Sequence, residues 1–147
     1  VRNIDDIDRF ADISQKARAV AEAFLPGSLT LVVRVKEEIA DDVVAPDRTI
    51  GFRISPDPIT QKIIEAFMEE YDAPLTCTSA NVSGAPSFPT VSEILQQFGE
   101  KANWITEIHD DGPRKGLAST VVKVIDDDVT VIREGEISEA DIREVLK

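Results

Sequence analysis

The chain has 147 residues, which suffices for one domain with a buried core and excludes two domains of ordinary size. Hydrophobic residues make up 42% of it and charged residues 30%, a balance that excludes an intrinsically disordered chain. Its 28 acidic and 16 basic residues give a formal net charge of −12, so the average field repels nucleic acid and any anion site must be local.

The first half of the chain alternates helix and strand signals. Ser14 is placed to cap an alanine-rich helix, which Pro26 and Gly27 end. The next apolar run predicts a strand covered on both faces. The predicted elements are helix 15–24, strand 29–35, an acidic connection 37–47, strand 49–54 and helix 58–71. The helix that begins at Pro58 is predicted to face inward with Ile59, Ile63, Ala66 and Phe67.

The second half continues the alternation and ends in a hairpin and a helix. Thr90 and Gly99 are expected to bound one helix, and Ser138 with Asp141 has the capping-box form that begins another. The predicted elements are strand 74–79, loop 81–89, helix 90–99, strand 103–108, turns at 110–116, hairpin strands 119–125 and 129–133, and helix 138–147. Together these elements predict a single α/β domain.

Three residues with reactive or bulky side chains receive structural interpretations. Cys77 lies in an apolar run and is expected to be packed, Trp104 is expected in the core, and His109 beside two aspartates is expected to be solvated. A single cysteine excludes a disulfide framework, and no apolar run approaches the roughly 20 residues that span a bilayer. These features predict a cytoplasmic protein without membrane association.

Polar groups that suit an anionic ligand follow predicted strands. The segment 76–84 runs from a predicted strand into hydroxyls, an amide and a glycine, and ligands of open α/β sheets collect at such strand ends. Arg53 and Arg133 each end an apolar run, where a guanidinium must reach water or bind an anion. The pattern indicates a pocket for an anionic ligand, although two solvated arginines remain an alternative.

Six short motifs in collinear order carry a family resemblance. They are 24–31 (FLPGSLTL), 51–54 (GFRI) with Pro56 and Pro58, 78–84 (TSANVSG), 89–90 (PT), 119–122 (STVV) and 132–135 (IREG). The chain closely resembles the YrdC domain family. That resemblance implies one α/β domain with a twisted, mixed or mostly parallel sheet around a concave cavity. It also implies synthesis of L-threonylcarbamoyladenylate from L-threonine, bicarbonate and ATP with release of pyrophosphate, Mg²⁺ accompanying ATP.

The resemblance assigns roles to seven residues. Arg53, Ser79 and Ser119 are the implied threonine contacts, and Arg53 is the one that meets the carboxylate. The implied ATP contacts are Thr49, Asn81, Thr90 and Arg133. No residue is implied as a metal ligand or as a covalent catalyst. The product would pass to the tRNA threonylcarbamoyl transferase machinery, which modifies the adenosine next to the anticodon.

The family pattern also has an amino-terminal part, with a lysine- and arginine-containing phosphate motif, that this sequence lacks. We therefore expect residues 1–147 to be a YrdC-like domain without its amino-terminal segment, which on its own need not be active. Two other functions stay open. A noncatalytic double-stranded-RNA-binding or translation-associated module would need a basic face, although weak RNA binding is compatible with either reading. Carbamoyl transfer, as in hydrogenase-maturation proteins, would need companion domains.

Overall fold

The computed structural model describes residues 1–36, 39, 41–114 and 116–147 of the chain. The described chain divides into two compact units. The first unit consists of Val1–Leu75 and Leu117–Lys147, and the second unit is Thr76–Gly116. Glu37, Glu38 and Ala40 of the predicted acidic connection, together with Lys115, lie outside the described residues.

The described residues of the first unit form five strands and four α-helices. Ser14 caps the helix Gln15–Phe24, and the helix Pro58–Tyr71 has a proline in its first turn, both as the sequence predicts. Asp57 caps the second of these helices. Within the acidic connection, Asp41–Val43 forms a short 3₁₀ helix. In chain order the elements are α1 Ile4–Phe10, β1 Ala11–Asp12, α2 Gln15–Phe24, β2 Leu29–Val35, β3 Thr49–Phe52, α3 Pro58–Tyr71, β4 Thr120–Ile125, β5 Asp128–Arg133 and α5 Glu139–Val145.

The sheet is mixed and centres on β2. Residues 31–34 of β2 pair with β3 in antiparallel orientation, residues 29–32 pair with β4 in parallel, and residues 34–35 pair with β1. The residues of β2 that pair with β3 overlap those that pair with β4 and those that pair with β1, so β3 occupies one edge of β2. Strands β4 and β1 therefore lie one after the other along the opposite edge. The antiparallel hairpin partner β5 then extends the sheet beyond β4. This arrangement confirms the predicted α/β class with a mixed sheet.

The core lies on one face of the sheet. Leu29, Leu31, Val33 and Val35 of β2 are buried, and the alternate positions are half-buried or exposed. The strand therefore has one covered face, and the prediction of two covered faces is wrong. The high content of β-branched residues suggested burial on both faces, but a β-branched residue such as Val32 fits a half-buried face equally well. Helix α2 packs on β2 and also contacts α5.

Helix α3 is rotated relative to the prediction. Its buried residues are Ile64 and Met68, whereas Ile59 and Ile63 are each about two-fifths exposed. The predicted inward stripe is therefore wrong. Apolar residues lie on two neighbouring rows of this helix, so the 3.6-residue period allows either row to face the core. Tertiary packing selects the row that contains Met68.

The second unit contains α4, Val91–Phe98, followed by a 3₁₀ helix at Gly99–Trp104. Thr90 caps α4 and Gly99 ends it, as predicted. The predicted strands 74–79 and 103–108 are wrong, because both segments lack the ladder partners that a strand requires. Among the described residues of this unit none is buried. Cys77 is accordingly exposed and Trp104 is 83% exposed, which corrects both packing predictions.

Candidate functional site

Thr120, the first residue of β4, is a fully buried polar anchor in the first unit. Its backbone amide donates to the Ser28 carbonyl at 2.9 Å. Its hydroxyl donates to the Ile137 carbonyl at 2.5 Å and accepts from the amides of Gly135 and Ile137 at 2.9 and 3.0 Å. A hydroxyl has one donor and two acceptor positions, so all are used. Thr120 thus ties β4 to the segment that leads into β2 and to the segment after β5.

Gly135 makes that close approach possible. A Cβ atom at this position would lie 2.0 Å from the Ala118 carbonyl oxygen and 2.8 Å from the Ser119 carbonyl carbon. The next residue, Glu136, donates its backbone amide to the same Ala118 oxygen at 3.1 Å. The chain after β5 therefore lies directly against the chain before β4, and a glycine is required at the crossing.

A β-bulge determines where Arg133 lies along the hairpin. Val131 pairs with Val122 but Arg133 pairs with Val121, so Ile132 is an extra residue in β5. Ile132 is accordingly 57% exposed. The bulge places Arg133 opposite Val121 and beside the residues that precede β4.

Two predicted ligand residues, Ser119 and Arg133, meet at this point. The Arg133 guanidinium donates to the Ser119 carbonyl oxygen from Nε at 3.2 Å and from Nη2 at 2.8 Å, and Nη2 also lies 3.3 Å from the Ser119 hydroxyl. That hydroxyl is 2.9 Å from the Thr30 hydroxyl. Among the described residues the Arg133 Nη1 has no hydrogen-bond partner, and the side chain is exposed. Arg133, Ser119 and Thr30 form what we name the arginine cluster.

Sequence reasoning did not single out Thr30 as a ligand residue. The available signal was its position as a hydroxyl among the apolar residues at the start of β2, on the face opposite the buried Leu29 and Leu31. Polar residues at half-buried strand positions are expected to have a hydrogen-bond partner. Here the partner is Ser119, which lies 89 positions later in the chain, so no local pattern could reveal it.

Thr49 and Arg53 lie at the two ends of the β3 region. Thr49 is buried, and its hydroxyl donates to Asp47 at 2.7 Å. The ammonium of Lys123 and then the Thr49 hydroxyl hold the pKa of Asp47 down to about 2. Arg53 follows β3 and is exposed, with no side-chain hydrogen bond or ion pair to a described residue. Its guanidinium is therefore available to an anion, whereas the Thr49 hydroxyl already has a partner.

The loop of the second unit is built around Asn81. Its side-chain amide donates to the carbonyls of Val82 and Ala85 at 3.0 and 2.9 Å, and its backbone amide donates to the Ser79 carbonyl at 2.9 Å. Gly84 has a φ of +80°, the left-handed region that favours glycine. Ser79 itself is exposed. The structure therefore brings Ser79 and Asn81 together. The side-chain nitrogen of Asn81 donates both of its hydrogen bonds within the loop.

Thr90 has a capping role at the start of α4. Its hydroxyl accepts from the Glu93 amide at 3.3 Å and donates to the Glu93 carboxylate. A carboxylate in the first turn already interacts with the positive end of the helix. A nucleotide contact by Thr90, which the resemblance implies, stays a prediction and would require this hydroxyl to exchange partners.

One cleft of the first unit has a volume of about 540 Å³ and lies away from these residues. It is lined by the segment from Ala23 to Ser28 and by the acidic side chains of Glu136 and Asp141, with no basic residue. The Ser28 hydroxyl donates to the Glu136 carboxylate within it. None of the seven predicted ligand residues lines this cleft, and its acidic wall does not suit an anion.

Neither a metal cluster nor a spanning helix is found in the described residues. Across residues 1–36, 39, 41–114 and 116–147, no group of three or more histidine, cysteine, aspartate and glutamate side chains is placed to hold a metal ion. His109 is exposed and its Nε2 lies 3.0 Å from the Glu107 carboxylate. In the same ranges no helix has the length and apolarity that crossing a bilayer requires.

Comparison with known proteins identifies the class. Residues 1–135 match the Sua5/YciO/YrdC family, which is described as "Telomere recombination". A protein of Methanocaldococcus jannaschii, named provisionally as a threonylcarbamoyl-AMP synthase, is 37% identical over 138 residues, covering 93% of this chain and 61% of the relative. The threonylcarbamoyl-AMP synthase of Bacillus subtilis is 31% identical over 150 residues, covering 98% of this chain and 41% of the relative.

The same class emerges from the fold. The crystal structure of P. abyssi Sua5 complexed with L-threonine matches with a TM-score of 0.83 and 26% identity, covering 99% of this chain and 42% of that one. The molecule is a mixed α/β protein of this fold. The chain belongs to the Sua5/YciO/YrdC family, which confirms the resemblance carried by the six motifs. It spans between two-fifths and about three-fifths of the length of these relatives.

Proposed function

We propose that the chain is part of a threonylcarbamoyl-AMP synthase. The observation that carries the proposal is the arginine cluster, in which an exposed guanidinium lies beside a serine hydroxyl and its Nη1 has no partner among the described residues. Such a pair can bind a phosphate or carboxylate oxygen through charge-assisted hydrogen bonds. Family membership supports the assignment, because relatives are named for this activity and one related structure contains L-threonine.

The proposed reaction joins three substrates. The amine of L-threonine takes up bicarbonate with loss of water and becomes a carbamate, and a carbamate oxygen then attacks the α-phosphorus of ATP. The bond from that phosphorus to the bridging oxygen breaks and pyrophosphate leaves, giving L-threonylcarbamoyladenylate. Orientation and neutralisation of charge supply most of the catalysis in such a transfer, so no covalent nucleophile is needed.

Each predicted residue receives one role in this proposal. Arg53 binds the carboxylate of threonine, and Ser79 and Ser119 contact the threonine or its carbamate. Arg133 neutralises ATP phosphate. The remaining proposed nucleotide contacts are Thr49, Asn81 and Thr90. Because no described cluster fits a protein-held metal, the proposal assigns no Mg²⁺ ligand and Mg²⁺ enters with the phosphates of ATP.

The product is a mixed anhydride of a carbamate and a phosphate, which is reactive enough to acylate an amine. In the proposal it is handed to tRNA threonylcarbamoyl transferase machinery in the cytoplasm, for modification of the adenosine next to the anticodon. The alternative, a noncatalytic RNA-binding module, would need a basic surface. The excess of 28 acidic over 16 basic residues argues against that alternative.

The test is pyrophosphate release that depends on threonine. The full gene product and the 147-residue chain are each incubated with threonine, bicarbonate, Mg²⁺ and ATP. Release by the full gene product that stops when threonine is withheld is the expected result. No release, in a protein shown by circular dichroism to be folded, would refute the synthase assignment, and binding of double-stranded RNA instead would support the alternative.

Two variants test the assigned residues in the full gene product. Arg53→Ala and Asn81→Ala are each expected to reduce threonine-dependent pyrophosphate release by at least about a hundredfold, because each variant loses charged or multiple hydrogen bonds. The matched controls are Arg143→Ala and Asn103→Ala. Arg143 is paired with Glu139 on α5, and Asn103 is exposed in the 3₁₀ helix that follows α4. Full activity in both test variants would remove these assignments.

A further inference from the structure

Gln97, near the end of α4, bridges the two sides of the loop that follows Asn81. Its side-chain Oε1 accepts from the Val82 amide at 2.8 Å, and its Nε2 donates to the Pro86 carbonyl at 2.9 Å. These bonds reach 15 and 11 positions back along the chain. One side chain therefore fixes the distance between the beginning and the end of the loop.

The same loop is held from within by Asn81. The Asn81 amide donates to the carbonyls of Val82 and Ala85, and the Ala85 amide returns to the Val82 carbonyl at 2.8 Å. The polar groups of Val82 thus point to two different amide side chains, its carbonyl to Asn81 and its N–H to Gln97. Loss of Gln97 removes the partner of the Val82 N–H, and loss of Asn81 removes the partner of the Ala85 carbonyl.

A primary amide can form both of these hydrogen bonds at once. Glutamine offers an acceptor oxygen and a donor nitrogen at the same reach, whereas a carboxylate offers acceptors alone and methionine offers neither strongly. The neighbouring Gln96 is exposed and forms no hydrogen bond to a described residue, whereas Gln97 is half-buried. The two glutamines therefore form a matched pair on one helix, of which only the second contacts the loop.

We propose that Gln97 is a positioning residue that holds the loop 81–86 in its ligand-binding shape. It touches no substrate in this scheme and acts through the Asn81 loop, which presents Asn81 and the adjoining Ser79. The inference rests on the proposed function, because these two residues are substrate contacts only if the chain is part of the synthase. It concerns a residue outside the six family motifs.

The test uses the full gene product with two independent readouts. Amide hydrogen exchange at Val82 reports the Gln97 bond whether or not the protein is active, and calorimetric titration with ATP reports the ligand-binding shape of the loop. Gln97→Met is expected to accelerate exchange at Val82 and to weaken ATP binding, each by about tenfold, because the variant loses one to two hydrogen bonds. Gln96→Met is expected to leave both values unchanged.

A third variant keeps the proposal falsifiable if Gln97→Met folds poorly. Gln97→Glu retains the acceptor for the Val82 amide and loses the donor to Pro86, so protection at Val82 is expected to recover while ATP affinity recovers only in part. If Gln97 had a purely structural role, the exchange rate at Val82, the ATP affinity and the melting temperature would all change together. Unchanged ATP affinity in Gln97→Met and Gln97→Glu would overturn the proposal.

The outcomes also separate this inference from the proposed function. A wild-type protein that binds ATP but releases no pyrophosphate would refute the synthase assignment, and the exchange and affinity readouts would still decide the role of Gln97. A wild-type protein that binds no ATP would overturn both.

Discussion

Replacing Thr120 by valine tests the anchor beneath the arginine cluster. Valine keeps the branched shape and removes the hydroxyl, so the amides of Gly135 and Ile137 and the Ile137 carbonyl each lose a partner. An ordinary hydrogen bond contributes about 1 kcal/mol, and a buried group left unpaired costs about 1 to 3 kcal/mol. Because Gly135 and Ile137 are half-buried, water restores part of this loss. We expect a fall of about 2 to 4 kcal/mol in the free energy of unfolding.

Urea unfolding followed by far-ultraviolet circular dichroism measures this change. Tryptophan fluorescence is unsuitable, because Trp104 is 83% exposed in the folded chain and belongs to the second unit. With a slope of about 1 to 3 kcal/mol per molar urea, the midpoint is expected to fall by about 0.7 to 4 M without a change of slope.

Two further variants make the result specific to the hydroxyl. Thr120→Ser keeps the hydroxyl and loses one methyl group, so it is expected to cost only about 1 kcal/mol. Thr130→Val makes the same substitution at an exposed position of β5, where the effect is expected to stay within about 0.5 kcal/mol. A Thr120→Val protein that unfolds at the same urea concentration as Thr130→Val would refute the anchoring role.

Three other predictions concern stability. Gly135→Ala is expected to cost about 3 kcal/mol or more in urea unfolding because its Cβ would overlap a carbonyl, whereas Gly116→Ala, with nothing within 4 Å, should be neutral. The pKa of Asp47 is lowered to about 2, so wild type is expected to be more stable than Asp47→Asn at neutral pH. This difference in stability should disappear as the pH falls from about 4 to 2. An unchanged difference at pH 2 would contradict the pairing with Lys123. Ser138→Ala removes the capping box of α5 and should cost about 1 kcal/mol, with no loss contradicting the cap.

The sequence predicts best where structure depends on neighbouring residues. Ser14, Thr90 and Ser138 each bond an amide three positions along the chain, and each helix begins where the sequence predicts. The aspartate-rich tip between β4 and β5 likewise forms the predicted hairpin. Six motifs in register also sufficed to predict the family, since their order along the chain needs no three-dimensional information.

Burial and strand pairing are predicted less well. The segments 74–79 and 103–108 have strand-like composition, yet neither pairs in the sheet. Strand propensity describes a side chain that fits a pleated surface, so it has no effect until a partner strand is present. The exposure of Cys77 and Trp104 has the same origin, because an apolar residue is buried only where another element covers it.

The sequence by itself thus determined where the capped helices begin, the α/β class and the family. The ligand roles that it suggests for individual residues stay predictions. Only the tertiary structure decided that Arg133 lies against Ser119 and that Thr30, 89 positions away from Ser119, joins them. That contact depends on the parallel pairing of β2 with β4 and on the bulge in β5. Such pairings gain their free energy from residues distant along the chain, so no local pattern encodes them.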